Sequence, residues 1–179
     1  ERQGDGSSGT QTAALMFGGQ DYPPPTDFVG ETEEWNGSSW SEKSDLNTAH
    51  MAGAGFGTTA EGAMFVGGGP PAPYGLFNEI WNGTSWTEAA EKSTPVSNPG
   101  GVGTTTNAIV FGGSDPTTVV AVTEHWNGTS WTEVAELGTA RNNMGPTGNM
   151  TAAIIAGGYV APGKQTYVEE WTNGPATFQ

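Results

Sequence analysis

The chain lacks cysteine entirely, and among its 179 residues it has only three lysines and two arginines. Without cysteine, disulfides and thiolate chemistry are excluded. The few basic residues stand against 19 Asp and Glu, which gives a formal net charge of −14. Because phosphates are recognised by basic patches, this charge argues against binding to nucleic acid or to an anionic membrane. It suits a self-repelling surface in salty or extracellular surroundings.

Long apolar runs and helical periodicity are also lacking. No stretch approaches about 18 consecutive apolar residues, so we expect no membrane insertion. Gly (29) and Pro (12) are plentiful, which favours many tight turns. The sequence shows no initiator Met and no signal peptide, and it opens on Glu1-Arg2 within repeat-like sequence. We therefore expect a processed or trimmed chain, or part of a longer polypeptide.

Four near-copies of one unit fill the sequence. A Trp-Asn-Gly-Ser/Thr-Ser-Trp segment occurs three times and a weaker copy follows, so that the first Trp recurs at positions 35, 81, 126 and 171. The copies are Glu33–Trp40, Glu79–Trp86, Glu124–Trp131 and Glu169–Gly174. A period of about 45 residues indicates stacked or radially arranged units, because one such unit cannot bury its apolar face alone.

Each unit divides into four short predicted strands. The first is glycine-rich, the second is an apolar run closed by two glycines, the third ends at the first Trp, and the fourth holds the second Trp. The Asn-Gly step predicts a tight hairpin with positive φ at its central residues. The two Trp residues that flank the hairpin are expected to pack as a pair and to form much of the core.

The glycine-rich strand predicts a radial arrangement. Innermost strands crowd around a central axis, and glycine weakens a strand unless a close backbone approach requires it. The small residues that a narrow axis would need are Gly53, Ala54, Gly55, Gly101, Gly103, Gly145 and Gly148.

On these residues the chain resembles the kelch repeat family. The diglycines match the family pattern, Trp35, Trp81, Trp126 and Trp171 replace its usual Tyr, and Trp40, Trp86 and Trp131 match its fourth-strand Trp, with Phe178 standing in for that Trp in the last unit. Arg2, His50 and Arg141 lie near the family's basic position, which Ser97 or Asn98 occupies in the third unit. The resemblance implies an all-β, kelch-like β-propeller.

The predicted architecture is one domain over residues 1–179, with four blades of four antiparallel strands. The blades span approximately 1–46, 47–93, 94–138 and 139–179. Kelch propellers usually have more than four blades, so two alternatives stay open: the four blades close alone, or the chain is part of a larger ring or array.

The loops that follow the diglycines are the first candidate site. They differ most among the units, and in a propeller they emerge together on one face, where variable loops on a rigid scaffold carry recognition. Their aromatic rings suit sugars or protein contacts. The candidate residues for a ligand or partner are Asp21, Tyr22, Tyr74, Phe77, Asp115, Tyr159 and Tyr167. The alternative, slightly favoured, is that these side chains cap the blades or pack against neighbours in an assembly.

Two further sets of polar residues recur with the repeat. Glu33, Glu79, Glu124 and Glu169 could hold a hard cation such as calcium. We favour instead that each accepts backbone N–H bonds from a neighbouring strand or faces solvent, because the third strand normally lies away from the axis and clustered carboxylates repel one another. Possible N-glycosylation sites are Asn36, Asn82, Asn127 and Asn149. Turn geometry alone explains the spacing of those in the hairpins, and we favour that interpretation.

No constellation for catalysis is recognisable. His50 and His125 occupy non-equivalent repeat positions, and the copper site of kelch-fold oxidases needs a cysteine that this chain lacks. We expect no enzyme, cofactor or metal, although a paired-carboxylate carbohydrate-active enzyme remains a lesser alternative.

The sequence motif Trp-Asn-Gly-Thr-Ser-Trp-Thr-Glu resembles the kelch-like repeats of structural and tail-fibre-type proteins of marine bacteriophages. This resemblance implies a non-enzymatic structural or adhesive module on a virion surface or fibre, located on the virion or extracellularly. Its expected partners are other virion or assembly subunits and cell-surface glycans, with homo-oligomerisation left open. The alternative is a secreted, N-glycosylated or filament-forming extracellular glycoprotein.

Overall fold

The computed structural model describes residues 2–23, 27–69 and 75–172. All regular secondary structure within these ranges is β, in short strands. The strands are β1 (Arg2–Gln3), β2 (Gly6–Thr10), β3 (Ala13–Phe17), β4 (Gln20–Asp21), β5 (Thr32–Trp35), β6 (Trp40–Glu42), β7 (Ala54–Thr59), β8 (Gly62–Val66), β9 (Asn78–Trp81), β10 (Trp86–Glu88), β11 (Gly100–Thr104), β12 (Asn107–Phe111), β13 (Thr123–Trp126), β14 (Trp131–Glu133), β15 (Gly145–Asn149), β16 (Ala152–Ala156), β17 (Tyr159–Val160), β18 (Gly163–Lys164) and β19 (Val168–Thr172). Among the described residues, no helix is long and apolar enough to cross a membrane.

The strands form one antiparallel sheet, or blade, for each sequence repeat. Blade 1 has the order β2-β3-β5-β6, blade 2 β7-β8-β9-β10, blade 3 β11-β12-β13-β14 and blade 4 β15-β16-β19. The predicted repeats of four-stranded antiparallel sheets are therefore confirmed. The position predicted for the last strand of blade 4, at Phe178, lies outside the described residues.

The second strand of each blade is apolar on both faces because a blade packs between two neighbours. In β8, Phe65 points toward blade 1 and Val66 toward blade 3, and both side chains are fully buried. We call the side of a blade that faces the preceding blade its front face, and the opposite side its back face. Three apolar clusters join a back face to the next front face, the first of them being Leu15, Phe17, Leu46, Ala63, Phe65, Trp81 and Trp86.

The paired tryptophans of blades 2 and 3 are confirmed as core elements, whereas in blade 1 Trp35 is half-buried and Trp40 is exposed. Trp81 lies directly opposite Trp86 in the register of β9 and β10, with ring centroids 5.5 Å apart. The first Trp of each unit bonds within its blade, as when Trp81 Nε1 donates to Ala60 O at 2.9 Å. In blades 2 and 3 the second Trp reaches the preceding blade, since Trp86 Nε1 donates to Thr32 Oγ1 at 2.8 Å and Trp131 Nε1 donates to Ala90 O at 3.1 Å. These two pairs therefore tie a hairpin both to its own blade and to its neighbour.

The hairpins differ from the expected tight turn. Four residues separate each Trp pair, and only the glycine has positive φ, for example +92° at Gly83. Asn82 instead uses its side chain, whose Oδ1 accepts from Thr84 N at 2.9 Å and Ser85 N at 3.0 Å. This loop closes because the Asn side chain replaces a backbone acceptor, so Asn needs no left-handed conformation.

The inner strands of successive blades pack in chain order, and the expected close approach to a neighbouring blade occurs at Gly55 and Gly101. Gly103 and Gly148 instead lie against the second strand of their own blade, and a Cβ added at Gly145 would lie 4.0 Å from Ala156 O. A Cβ added at Gly55 would lie 2.4 Å from Gly6 Cα of blade 1. Backbone bonds link the blades at one end of the axis: Ala52 N donates to Gly4 O, and Asn98 N donates to Ala52 O. Both Ala52 and Asn98 have positive φ, near +60° and +52°.

In the third unit, the residue that occupies the basic position of the kelch repeat is Val96, and the assignment to Ser97 or Asn98 from the sequence was wrong. At this point Gly68 N donates to Val96 O at 2.9 Å, as Gly19 N donates to His50 O at 3.0 Å in the preceding junction. The hydrogen bond uses only the carbonyl of this residue, so the backbone tolerates a non-basic side chain.

The four blades form an open arc. The inner strands β2, β7, β11 and β15 pack each on the next, but among the described residues β15 has no comparable packing against β2. Within the described ranges the four blades therefore do not close on themselves.

Replacing Gly55 by Ala tests the close approach of blades 1 and 2. The new methyl would meet backbone atoms that cannot move independently, and we expect the free energy of unfolding to fall by about 1–3 kcal/mol. Gly163→Ala is the matched control, because nothing lies within 4 Å of its added Cβ. Urea denaturation should show a change within about 0.5 kcal/mol for the control; equal effects of both substitutions would contradict the packing.

Candidate functional site

The loops after the diglycines emerge together on one side of the arc. Because strands within a blade alternate in direction, the diglycine loops and the connections between blades lie at one end, and the Trp hairpins lie at the other. We call these two sides the loop face and the hairpin face. The predicted site residues in these loops share the loop face, apart from those that fall outside the described ranges.

The diglycines of blades 1 to 3 are joints between two blades. Gly112 N donates to Val122 O within blade 3, and Gly113 N donates to Arg141 O at the entry to blade 4. Both glycines have positive φ, and a Cβ at Gly112 would lie 2.4 Å from Arg141 O. The joint therefore requires glycine, and it fixes the starting point of the variable loop that follows it.

Three of the predicted tyrosines are displayed on this face. Tyr22 of blade 1 is 55% exposed, and Tyr159 and Tyr167, at the two ends of the blade 4 loop, are 41% and 54% exposed. Tyr74 lies outside the described residues. Exposed rings held by a rigid base are available for contact with a sugar or a protein surface.

The two predicted aspartates have structural roles within their loops. Asp21 is half-buried in β4, which pairs with β1 through Arg2. Asp115 Oδ1 accepts from the hydroxyl and N–H of Thr117 and from Thr118 N, which closes a turn. The Thr117 hydroxyl, followed by the two N–H groups, lowers the pKa of Asp115. A carboxylate that is engaged in this way is less available to a ligand.

Phe77 is not displayed. Its ring stacks on His50 at 4.7 Å, and His50 stacks in turn on Phe65 at 4.5 Å, so that the imidazole lies between two aromatic rings. Phe77 thus packs in the junction between blades 1 and 2, and the expectation that it belongs to an exposed contact surface finds no support in its position.

The sandwiched imidazole of His50 is fully buried, and neither ring nitrogen has a hydrogen-bond partner among the described residues. Desolvation therefore lowers the pKa of His50 from 6.5 to about 4, with the nearby backbone of Thr48 acting in the opposite direction. His50 is a neutral packing residue at neutral pH.

A groove beside Tyr159 has the most varied chemistry on the loop face. Its volume is about 420 Å³, and its lining residues are Asn143, Gly158, Tyr159, Lys164 and Gln165. It therefore combines an aromatic ring, two amides and an ammonium group. These groups can stack on a ring and hydrogen-bond to hydroxyl or carbonyl oxygens.

Lys164 differs from the other basic residues. Arg2, Lys43, Lys92 and Arg141 each pair with a glutamate, whereas Lys164 makes no ion pair within residues 2–23, 27–69 and 75–172. The sequence interpretation overlooked Lys164, although it is the one lysine that follows a diglycine within the same loop.

The recurrent glutamates serve as clamps between blades. Glu79 accepts from Asn47 N at 2.8 Å and Thr48 N at 3.1 Å, and Glu124 accepts from Ser93 N at 2.9 Å. These two glutamates accept backbone N–H bonds, as favoured from the sequence, but the donors lie in the connection that enters the blade and not in a neighbouring strand. No group of three or more His, Asp or Glu that could hold a metal ion occurs in the described part of the chain.

The clamps differ in their cations. Arg2 pairs with Glu33, Arg141 Nη2 lies 2.7 Å from Glu169 Oε1, and in blade 3, where Val96 replaces the basic residue, Lys92 Nζ lies 2.6 Å from Glu124. Lys92 comes from a different sequence position, which the repeat pattern did not reveal.

Glu79 has amide donors only. Desolvation raises its pKa, opposed by its bonds to Asn47 and Thr48. Desolvation lowers the pKa of Lys92, against the attraction of Glu124.

The four candidate glycosylation residues are exposed on the hairpin face or its turns. Each Oδ1 accepts backbone N–H bonds from the following residues; Asn149, for example, accepts from Thr151 N and Ala152 N. The same holds for Asn36, Asn82 and Asn127. The turn thus accounts for every one of these asparagines.

The comparisons with known proteins bear on the fold alone. A solved structure described as "Structure of YjhT", a kelch-repeat β-propeller protein, superposes with a TM-score of 0.71 at 13% sequence identity, over 88% of this chain and 59% of that one. This chain thus spans about three fifths of the length of YjhT. No protein-family model matches the chain, and curated proteins give no match either. The fold is kelch-like.

Substitutions at Glu124 and Glu79 distinguish the two kinds of clamp. Glu124→Gln leaves the buried Lys92 ammonium without a countercharge, and we expect a loss of about 3–5 kcal/mol in unfolding free energy. Glu79→Gln keeps an oxygen acceptor and orphans no cation, so we expect a loss of about 1 kcal/mol. Chemical denaturation measures both. Adding Lys92→Met to Glu124→Gln should recover part of the loss, and equal losses for the two glutamates would contradict the distinction.

His50→Phe tests the neutral sandwich through pH. The folded-state pKa of about 4 lies below the ordinary 6.5, so the unfolded chain takes up the proton first, and stability present above pH 6.5 is lost as the pH falls toward 4. This contribution is about 3 kcal/mol. The variant should lack it in urea denaturation between pH 7 and 4, while His125→Gln retains the wild-type slope. An unchanged slope in His50→Phe would refute the assignment.

Proposed function

We propose that the chain is a non-enzymatic structural and adhesive module, carried on a virion surface or fibre, whose loop face contacts a host glycan or an adjoining subunit. The observation that carries this proposal is the set of three exposed tyrosines, Tyr22, Tyr159 and Tyr167, on one face of a rigid scaffold.

The scaffold supports an adhesive role because the loops of blades 1 to 3 start from fixed joints, and in blade 4 Tyr159 is held by two backbone hydrogen bonds with Asn142. The second glycine of a diglycine is bonded to the next blade, as in Gly19 N to His50 O and Gly113 N to Arg141 O. Loops positioned in this way lose little conformational freedom on binding, and preorganisation of this kind favours affinity.

The groove beside Tyr159 supports a saccharide or a polar protein surface as the bound partner. Tyr159 can stack on the apolar side of a sugar ring, while Gln165, Asn143 and Lys164 can bond to its oxygens. Gln165 Nε2 already donates to Gly163 O at 2.9 Å, which orients its amide. A neutral or acidic glycan fits the ammonium of Lys164 better than a cationic one.

The proposed location on a virion rests on the sequence resemblance between the Trp hairpin repeats and the repeats of phage structural proteins. The alternative, a secreted and N-glycosylated protein, is favoured by the exposure of Asn36, Asn82, Asn127 and Asn149 on the surface. Hexose or N-acetylhexosamine additions in the intact mass of the native protein would favour that alternative.

The triple variant Tyr22→Ala, Tyr159→Ala, Tyr167→Ala tests the adhesive face. Each lost stacking contact costs about 0.5–1.5 kcal/mol, so binding should weaken at least about tenfold. The measurement is binding of labelled protein to immobilised bacterial surface polysaccharides, and co-sedimentation with fibre subunits. Thr129→Ala, on the hairpin face, is the control. Unchanged binding and assembly of the triple variant would contradict the proposal.

A further inference from the structure

The two ends of the arc present the two halves of one interface. We propose that the back face of blade 4 docks onto the front face of blade 1 in a second copy of this chain, head to tail. The proposal goes beyond the adhesive function, and none of the three exposed tyrosines on the loop face belongs to the proposed interface.

Three internal junctions define what such an interface contains. A back face contributes side chains from its second strand, such as Leu15 and Phe17, and the next front face covers them with its Trp pair. The second Trp then donates its indole N–H to the preceding blade, as Trp131 Nε1 does to Ala90 O at 3.1 Å. Finally, the second glycine of the diglycine donates to the entry of the next blade.

The back face of blade 4 has the apolar half of this interface uncovered. Ile154 is 44% exposed, whereas its repeat equivalents Leu15, Met64 and Ile109 are at most 1% exposed. Val168 is 55% exposed, although the equivalent Thr123 is fully buried. Neighbouring positions in β16 alternate between buried and exposed, so that one face is packed against blade 3 and the other is open.

A backbone donor at the same end is also unused. In blade 4 the first glycine keeps its bond within the blade, since Gly157 N donates to Tyr167 O at 2.9 Å. Within the described residues Gly158 N has no backbone acceptor, while Gly19, Gly68 and Gly113 each bond to the next blade. In a complete junction, Gly158 N would donate to the backbone carbonyl of the residue at the entry of a following blade.

The front face of blade 1 has the complementary half uncovered. Trp40 is 46% exposed, against 5% and 8% for Trp86 and Trp131. Its indole N–H has no hydrogen-bond acceptor in the described ranges, whereas those two residues donate to the preceding blade. Met16 is half-buried here, and its equivalent Phe65 is fully buried in a junction.

The occupant follows from continuity with the internal junctions. The chain already uses this pairing of faces three times, and one molecule carries both of the unused halves, so a second copy supplies a fitting partner at each end. Because the two halves are different surfaces, the contact is heterologous: it closes a ring if the rotation permits and extends otherwise. Both copies are acidic, with net charge −14, so added salt should strengthen the association by screening.

Association is measured by sedimentation velocity and light scattering from micromolar to near-millimolar protein, in low and high salt. The expected result is species at multiples of the 18.5 kDa chain mass, with a larger share at high salt. A wild-type chain that stays monomeric throughout overturns the proposal.

Two variants locate the contact. Ile154→Glu places a charge on the back face, and Trp40→Glu places one on the front face; each should weaken self-association at least about a hundredfold. Mixed together, they should form a one-to-one dimer, because each retains the half that the other lacks. Thr129→Glu, on an exposed hairpin, is the control and should associate as the wild type does.

The outcomes of the mixing experiment are decisive. Wild-type association in both single variants, or no dimer in their mixture, would show that another surface is used. Near-UV circular dichroism checks that the variants are folded, and Met16→Glu replaces Trp40→Glu if the latter unfolds. Loss of tyrosine-dependent adhesion leaves this result unaffected, so the two proposals fail independently.

Discussion

A blade of this protein has two apolar faces and cannot bury either of them without a neighbour. The rest of the structure depends on this constraint. The second strand of each sheet is apolar on both sides, as with Phe65 and Val66, because it lies between two other sheets. Since the neighbours are copies of the same unit, each blade must cover the preceding blade with its front face and have its own back face covered by the next blade. The paired tryptophans meet this need, with a broad ring surface for packing and an indole N–H for a specific bond.

The glutamate clamps show that a repeated role can be filled by different donors. Every clamp holds the connection that enters a blade, but the positive partner is Arg2, Lys92 or Arg141, and at Glu79 only amides are present. Blade 3 has Val96 at the basic position, and its cation is Lys92, four positions earlier. In blade 2 the position is taken by a neutral His50, which packs through its ring instead. The requirement is therefore a satisfied carboxylate at the junction rather than a particular ion pair.

The sequence allowed prediction of the features that repeat. The four sheets, the Trp pairs and the small residues at the axis all followed from the period and from the alternation of glycine with apolar runs. The features that depend on neighbours in space were not predictable. These include the stacking of Phe77 on His50, the side-chain closure of the hairpin by Asn82, and the position of Lys164 beside Tyr159. The open ends were also hidden, because Ile154 reads in sequence like the buried Ile109 and differs only in having no blade against it.

The clamp glutamates also bear on the order in which the protein forms as it is synthesised. Glu79 binds Asn47 and Thr48, which left the ribosome about thirty residues earlier, and Glu169 binds Gly138 over a similar distance. Among the described residues, every junction is thus completed by the later blade closing on the one before it. Contacts that join only consecutive blades favour vectorial folding. Blade by blade, the nascent chain can bury each newly made surface on an already finished one.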